Sequence, residues 1–174
     1  MRVRLIKRVF RFVAIACLSS ALIWGLAIGY FASRGPTLIK EVEFYDVDGL
    51  TTNVLKEQIH PVELSGYSAL TYMTLTWNAL CQVELHSTIT LPRHTRLQDL
   101  GELQQQSWKR YLAALRRHEY THQYHGERAA KEVAANFCIG GHYILGYWMA
   151  QTEIFDHKTR HGAKDGVRLD LWTQ

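Results

Sequence analysis

The residues of this chain best suited to chemistry are His118, Glu119 and His122, which form an H-E-x-x-H motif. Four residues of helix advance by about 6 Å and slightly more than one turn, so both imidazoles project from one face and can bind one ion. Glu119 then lies beside the open coordination position, where it can take a proton from a water that the ion activates. The motif predicts a catalytic zinc site with Glu119 as general base.

The alternative is a solvent-exposed helix on which the two histidines have no shared role. Arg116 and Arg117, just before the motif, are compatible with such an exposed helix. The neighbouring pattern favours the metal site, because the histidines continue an apolar stripe of the predicted helix. A buried Glu119 and two buried imidazoles would be costly without a shared cation or other partners.

A catalytic zinc ion usually takes three protein ligands, so a third must come from elsewhere in the chain. His125 shares the face of His118 but lies about 10 Å along the helix axis, too far to reach the same ion. We expect it to line the cleft or pack in the core. Arg128 stands where the longer metzincin pattern needs histidine, which excludes that subclass.

The segment 156–166 is rich in oxygen and nitrogen ligands and contains glycines, so we interpret it as a polar loop that can reach the helix. His161 is our predicted third ligand, and Asp156 is the alternative within the same loop. Glu153, from the preceding helix, is a further alternative, as in thermolysin-like enzymes.

The hydrophobic periodicity of the chain places strands first and helices after them, which predicts an α+β domain. The strand between residues 81 and 91 alternates apolar and polar residues and is expected to pair antiparallel with its predecessor. We therefore predict a zincin-like fold, with a small antiparallel sheet packed on a long H-E-x-x-H helix and a second helix. The predicted strands are 39–47, 67–77 and 81–91, and the predicted helices are 51–59, 102–136 and 143–155.

An uncharged run over residues 12–32 would form a helix of roughly 31 Å, enough to span a bilayer. It is longer than the apolar core of a cleaved signal peptide, so we favour an uncleaved signal anchor. Basic residues precede it, which predicts a cytoplasmic N-terminus in an inner membrane. The predicted division is an anchor over residues 1–34 and a hydrolase domain over residues 35–174, outside the cytoplasm in the periplasm.

The distribution of charge excludes a nucleic-acid partner, although the net charge is +4. Residues 1–34 hold six of the 20 basic residues and no acidic residue, whereas the rest holds 14 basic and 16 acidic residues. The basic character thus belongs to the N-terminal segment and not to the domain.

Cys81 and Cys138 would lie in an oxidising compartment under this topology. A structural disulfide is then chemically reasonable, and two buried free thiols are the alternative.

These motifs resemble the bacterial family called domain of unknown function 922, described as predicted secreted zinc-dependent proteases. The similar segments are 108–119, the second motif histidine, and the later D-x-x-T-x-H-G-x-x-x-G run from Asp156 to Gly166. They also include Tyr72, residues 76–78, Cys81 and the Leu91-Pro92 pair, so the resemblance extends over most of residues 40–168. It implies that the late segment, with Asp156, Thr159, His161, Gly162 and Gly166, belongs to the site.

We therefore predict a membrane-anchored zinc metallopeptidase that cleaves a peptide or protein substrate. Tyr72, Tyr120 or His157 would stabilise the oxyanion, and the sequence does not choose among them. The alternatives are a non-proteolytic zinc hydrolase such as a cell-wall amidase, and a membrane-anchored binding module whose metal site is not catalytic. Glu119 argues against the binding module, because structural zinc needs no general base.

Overall fold

Each predicted strand and helix has a counterpart in the computed structural model, which describes residues 2–169. The α+β class and the apolar N-terminal helix are confirmed. The last five residues of the predicted domain lie outside the described residues. The elements are α1 (Arg2–Arg34), β1 (Thr37–Val47), α2 (Thr52–Gln58), β2 (Leu70–Trp77), β3 (Val83–His94), α3 (Glu102–Ala135) and α4 (Gly141–Thr159).

The three strands form one mixed sheet in the order β1-β3-β2, so the prediction of an antiparallel sheet is wrong. β2 and β3 are antiparallel, as expected from the short connection between them. β1 instead runs parallel to β3, because the chain passes from β1 through α2 to β2 and β3 then returns between these two strands. Alternation along a strand shows which face is buried, but it does not identify the neighbouring strand.

α3 carries three successive groups of buried residues along its core-facing side. Its first half contributes to an apolar group that we call the tryptophan cluster, and its last third contributes to another that we call the cysteine cluster. His118, Glu119, His122 and Gln123 lie between them and are also buried. The polar residues of the motif are therefore enclosed by apolar packing on both sides along the helix. The tryptophan cluster contains Leu55, Ile89, Leu91, Trp108, Tyr111 and Leu115 with their neighbours. The cysteine cluster contains Cys81, Val83, Leu85, Ala130, Val133 and Ala134.

α1 contains one segment, Ile6–Arg34, that is long and apolar enough to cross a membrane. The C-terminal part of α1 contacts the domain, because Ile28 packs against the cysteine cluster. Leu38, at the start of β1, packs against the same cluster. The membrane-spanning candidate and the domain thus meet at the C-terminal end of α3.

A disulfide joins Cys81, just before β3, to Cys138, just after α3, across a separation of 57 residues. It links the sheet to the end of the helix that carries the motif. Cys17, on α1, is a free cysteine and is exposed.

Removing this disulfide is expected to destabilise the domain. In the chain-entropy description, closing a loop of this length stabilises the folded state by about 4 kcal/mol, and losing a native disulfide typically costs about 2–5 kcal/mol. The double substitution Cys81→Ser with Cys138→Ser should lower the urea midpoint of the full chain in detergent, under non-reducing conditions. Cys17→Ser is the matched control and should leave the midpoint unchanged; equal midpoints for the two variants would contradict the prediction.

Candidate metal centre

The candidate site is built around two histidines one turn apart on α3. The side chains of His118 and His122 are 4% and 9% exposed, and their Nε2 atoms are 3.2 Å apart. This convergence follows from the i, i+4 spacing on the buried side of a helix. Burial lowers the pKa of His122 to about 4, so at neutral pH its ring is uncharged and has a lone pair to offer to a metal.

α4 brings a third candidate ligand to this pair because it runs back alongside α3. Three contacts mark the antiparallel pairing of the helices. In the first two, Trp148 Nε1 donates to Glu132 Oε2 at 2.8 Å, and Thr152 Oγ1 lies 3.1 Å from His125 Nδ1. The last contact is Asp156, whose Oδ1 lies 3.0 Å from Nε2 of both motif histidines. Asp156, which is partly buried, thus completes a group of two buried imidazoles and one carboxylate.

The donor atoms of His118, His122 and Asp156 fit a divalent metal ion. Ligand atoms about 2.0–2.2 Å from a tetrahedral zinc ion lie about 3.3–3.6 Å from one another. The three separations here are 3.0–3.2 Å, within a few tenths of an ångström of that spacing. Two nitrogens and one carboxylate oxygen are also a usual ligand set for catalytic zinc, with the fourth position left for water or substrate. These residues could therefore hold a metal ion.

Phe155 and Asp165 lie against the sides of the two imidazoles that face away from the ligand group. Phe155 stacks on His118 at a centroid distance of 4.8 Å and meets His122 edge to face at 5.3 Å. Neither Nδ1 atom has a hydrogen-bond partner among the described residues, but Asp165 Oδ2 lies 3.6 Å from Nδ1 of His118. Histidine ligands usually donate their second N–H to a carboxylate or carbonyl. Asp165 is a carboxylate of this kind, although 3.6 Å exceeds hydrogen-bonding distance.

Glu119 is buried beside the histidines and is held by the sheet. Thr71 Oγ1, on β2, donates to Glu119 Oε2 at 2.7 Å, and Glu119 is only 5% exposed. Burial raises the pKa of Glu119, while the Thr71 hydrogen bond and the nearby His118 oppose that rise. A carboxyl group with an elevated pKa accepts a proton more readily than an exposed one does.

Two cavities of about 380 Å³ each adjoin these residues. The site cavity contains the three ligand candidates and Glu119, with Tyr67, His60 and His161 also among its lining residues. The second cavity lies between β2 and α4 and is lined largely by apolar side chains, including Trp148 and Met149. Thr71, Met73 and Thr152 line both cavities, so the two are adjacent.

A family model described as "Bacterial protein of unknown function (DUF922)" matches residues 42–137, more than half of the chain. The chain belongs to this family. The match confirms the resemblance seen in the sequence, and it contains all three residues of the H-E-x-x-H motif. It ends before Asp156, so the third ligand candidate lies outside the matched region. No curated protein and no solved structure matches the chain.

In this DUF922 protein the side chain that converges with His118 and His122 is that of Asp156, our alternative third ligand, and His161, our first choice, is not part of this group. The physical reason is that α4 continues to Thr159, so Asp156 lies on a helix that packs against α3, whereas the prediction placed it in a loop. His161 follows the end of that helix with a left-handed φ of 50° and a side chain that is 61% exposed. Its Nδ1 lies 3.8 Å from Asp156 Oδ2, at the rim of the site cavity.

The other predicted site residues of the DUF922 protein lie outside the ligand group. Glu153, the second alternative ligand, and His125 line the second cavity, and Tyr72 joins them there with 67% exposure. Tyr120 is 44% exposed and lines a separate depression on the surface. His157 is exposed on α4. Within residues 2–169, Tyr72, Tyr120 and His157 are not among those that line the site cavity.

Sequence reasoning missed Thr71, Phe155 and Asp165 as members of the site. Thr71 had a usable signal, because it alternates with exposed residues of β2 and must face the helices. Phe155 ends the predicted helix 143–155, but its contact with the motif histidines depends on the packing of α4 against α3, which the sequence does not show. Nothing in the sequence marks Asp165, which depends on the turn after α4.

Alanine substitutions should show which residue is the third ligand. Asp156→Ala is expected to weaken zinc binding by more than the 10–100-fold that losing an outer hydrogen-bonding partner typically costs, because it removes a donor atom. His161→Ala, the matched control from the same segment, should change the affinity by less than about tenfold. Metal content and chelator competition of the purified chain measure both. Equal loss in the two variants, or loss only with His161→Ala, would refute the assignment.

Proposed function

We propose that this protein is a membrane-anchored zinc-dependent metallopeptidase. The proposal is carried by one observation: a buried carboxylate, Glu119, shares a cavity with a converging group of two histidines and one aspartate. A site that only stabilised the fold would need the ligands but not the extra carboxylate.

The three ligand residues would hold the ion through His118 Nε2, His122 Nε2 and Asp156 Oδ1. Zinc bound in such a site lowers the pKa of water and polarises a carbonyl oxygen. Two histidines with one carboxylate also bind Fe(II) in oxygenases. Glu119 favours zinc and hydrolysis, because hydrolysis needs a group that takes a proton from water.

Glu119 would act as the general base and then as the general acid. Thr71 donates to Oε2 of Glu119, so Oε1 is the atom free to take the proton from the attacking water. The pKa that burial raises lets the same atom keep the proton until it passes to the leaving amine. Thr71 fixes the orientation of the carboxylate and so acts as a positioning residue.

A peptide fits the surroundings of the site better than a small polar substrate does. β2 pairs only with β3 within the described structure, so its other edge is open to an extended chain that adds by main-chain hydrogen bonds. The second cavity opens beside β2 and would take a large apolar side chain of that peptide. This combination favours a peptidase over the alternative of a cell-wall amidase.

The compartment is inferred from α1 and the disulfide. Five basic residues precede the apolar segment over residues 12–32, which favours a cytoplasmic N-terminus and a domain in the periplasm. The Cys81–Cys138 disulfide is typical of such an oxidising compartment.

Replacing Glu119 with glutamine should separate binding from turnover. Glu119→Gln keeps the size and the Thr71 contact but cannot accept a proton, so kcat should fall by about 10²–10⁴-fold while bound zinc stays equimolar. Glu102→Gln, an exposed carboxylate on the same helix that lines neither cavity, is the matched control and should keep kcat within a few-fold of the unmodified chain.

Peptide libraries and purified cell wall should be assayed side by side with these variants. Full activity of Glu119→Gln would refute the assigned base. Glu119-dependent release from cell wall, without cleavage of any peptide, would favour the amidase.

A further inference from the structure

One end of the domain exposes an apolar surface that the site does not use. We call it the α3–α4 corner, and it consists of Phe137, Ile139, Tyr143 and Tyr147, which are 52%, 78%, 88% and 56% exposed. Residues 133–152, which contain this corner, include no Asp, Glu, Lys or Arg. Exposed apolar residues clustered in this way typically mark contact with a protein, a ligand or a membrane.

The corner lies beside the end of the membrane-spanning candidate. Ile28 of α1 packs against the cysteine cluster, and Cys138 and Ile144, the chain neighbours of corner residues, pack against the same cluster. Ile28 is four residues before Ala32, the end of the uncharged segment, and so about 6 Å inside that end. A structure packed beside Ile28 must therefore lie at the level of the membrane surface.

Tyr30 and Arg34 provide independent evidence for the position of the membrane surface along α1. The guanidinium of Arg34 lies 5.3 Å from the ring centre of Tyr30, and both follow Ile28 on α1. Tyrosine and arginine at the end of an apolar helix are typical of the interface between membrane and water. With α1 inserted, Ile28 lies slightly deeper than these interfacial residues, so the cluster against which it packs, and from which the corner extends, lies close to the interface.

We propose that the α3–α4 corner is a second membrane contact, at which Phe137, Ile139 and Tyr143 insert into the headgroup region of the bilayer that α1 spans. This inference rests on the proposed membrane insertion of α1. Amphipathic elements bind in this way when their apolar side chains reach the boundary between headgroups and acyl chains. A bilayer is the favoured occupant because α1 holds it against the corner permanently, whereas any protein partner would have to compete with it.

Docking of this kind would set the height of the metal centre above the membrane. His122 is twelve residues from Ala134, near the end of α3, and so about 18 Å along the helix axis. The site would then lie within about 20 Å of the bilayer surface. Segments of membrane proteins that emerge close to the bilayer are the substrates such a placement favours.

Depth-dependent fluorescence quenching tests the proposal on the full chain. The chain with Cys17→Ser and Tyr143→Cys is labelled with an environment-sensitive dye and reconstituted into vesicles of phosphatidylethanolamine and phosphatidylglycerol. Lipids with a nitroxide near the top of the acyl chain should reduce its emission by at least about twofold. Tyr72→Cys in the same background is the matched control, since Tyr72 is also exposed but lies about 17 Å along β2 from Trp77, which contacts the start of α4.

The outcomes separate this inference from the anchoring on which it rests. Label on the native Cys17 should be quenched by nitroxides deep in the bilayer; if it is not, both anchoring and docking fail. Quenching at Cys17 without quenching at Tyr143→Cys overturns docking alone. Equal quenching at Tyr143→Cys and Tyr72→Cys, or blue-shifted Tyr143→Cys emission that lipid nitroxides leave unchanged, also overturns it. The second pattern would indicate that protein covers the corner. Ile139→Cys provides a repeat at a second exposed position.

Discussion

The structure depends on the burial of two imidazoles and a carboxylate on the core-facing side of one helix. His118, Glu119 and His122 lie between two apolar clusters of α3, where unpaired polar groups would cost several kcal/mol. Each of them therefore needs a partner from another element. Asp156 on α4 contacts both histidines, and Thr71 on β2 donates a hydrogen bond to Glu119.

This requirement connects the site to the register of the sheet. Thr71 pairs with Ile89 of β3, and its side chain points to the same face as the buried residues of that strand. A slip of one residue in β2 would turn Thr71 to the outer face and bring Tyr72 inward against Glu119. β3 lies in the centre of the sheet and is fixed on both sides, which protects this register.

The sequence predicted the features that depend on local periodicity. The face shared by His118 and His122, the length of α3 and the apolar α1 all follow from spacing along one element. The parallel pairing of β1 with β3 does not, because it depends on the path of the chain between distant strands. The convergence of Asp156 with the motif histidines was not predicted as the first choice, because the polar composition after residue 155 resembles a loop. The spacing of Thr152, Asp156 and Thr159 continues the inward side of α4 and would have extended the helix.

A carboxylate in the third position, where a histidine was expected, changes the electrostatics of the candidate centre. Two neutral imidazoles and Asp156 would leave a bound dication with a net charge of about +1, whereas three imidazoles would leave it at +2. The smaller positive charge stabilises ionised Glu119 less, so burial can keep the pKa of this carboxyl group elevated. A base must hold its proton long enough to deliver it to a leaving group, and a strongly depressed pKa would prevent this. In the proposed mechanism Asp156 and the burial of Glu119 would thus act together, one by limiting the positive charge and the other by keeping water from the carboxylate.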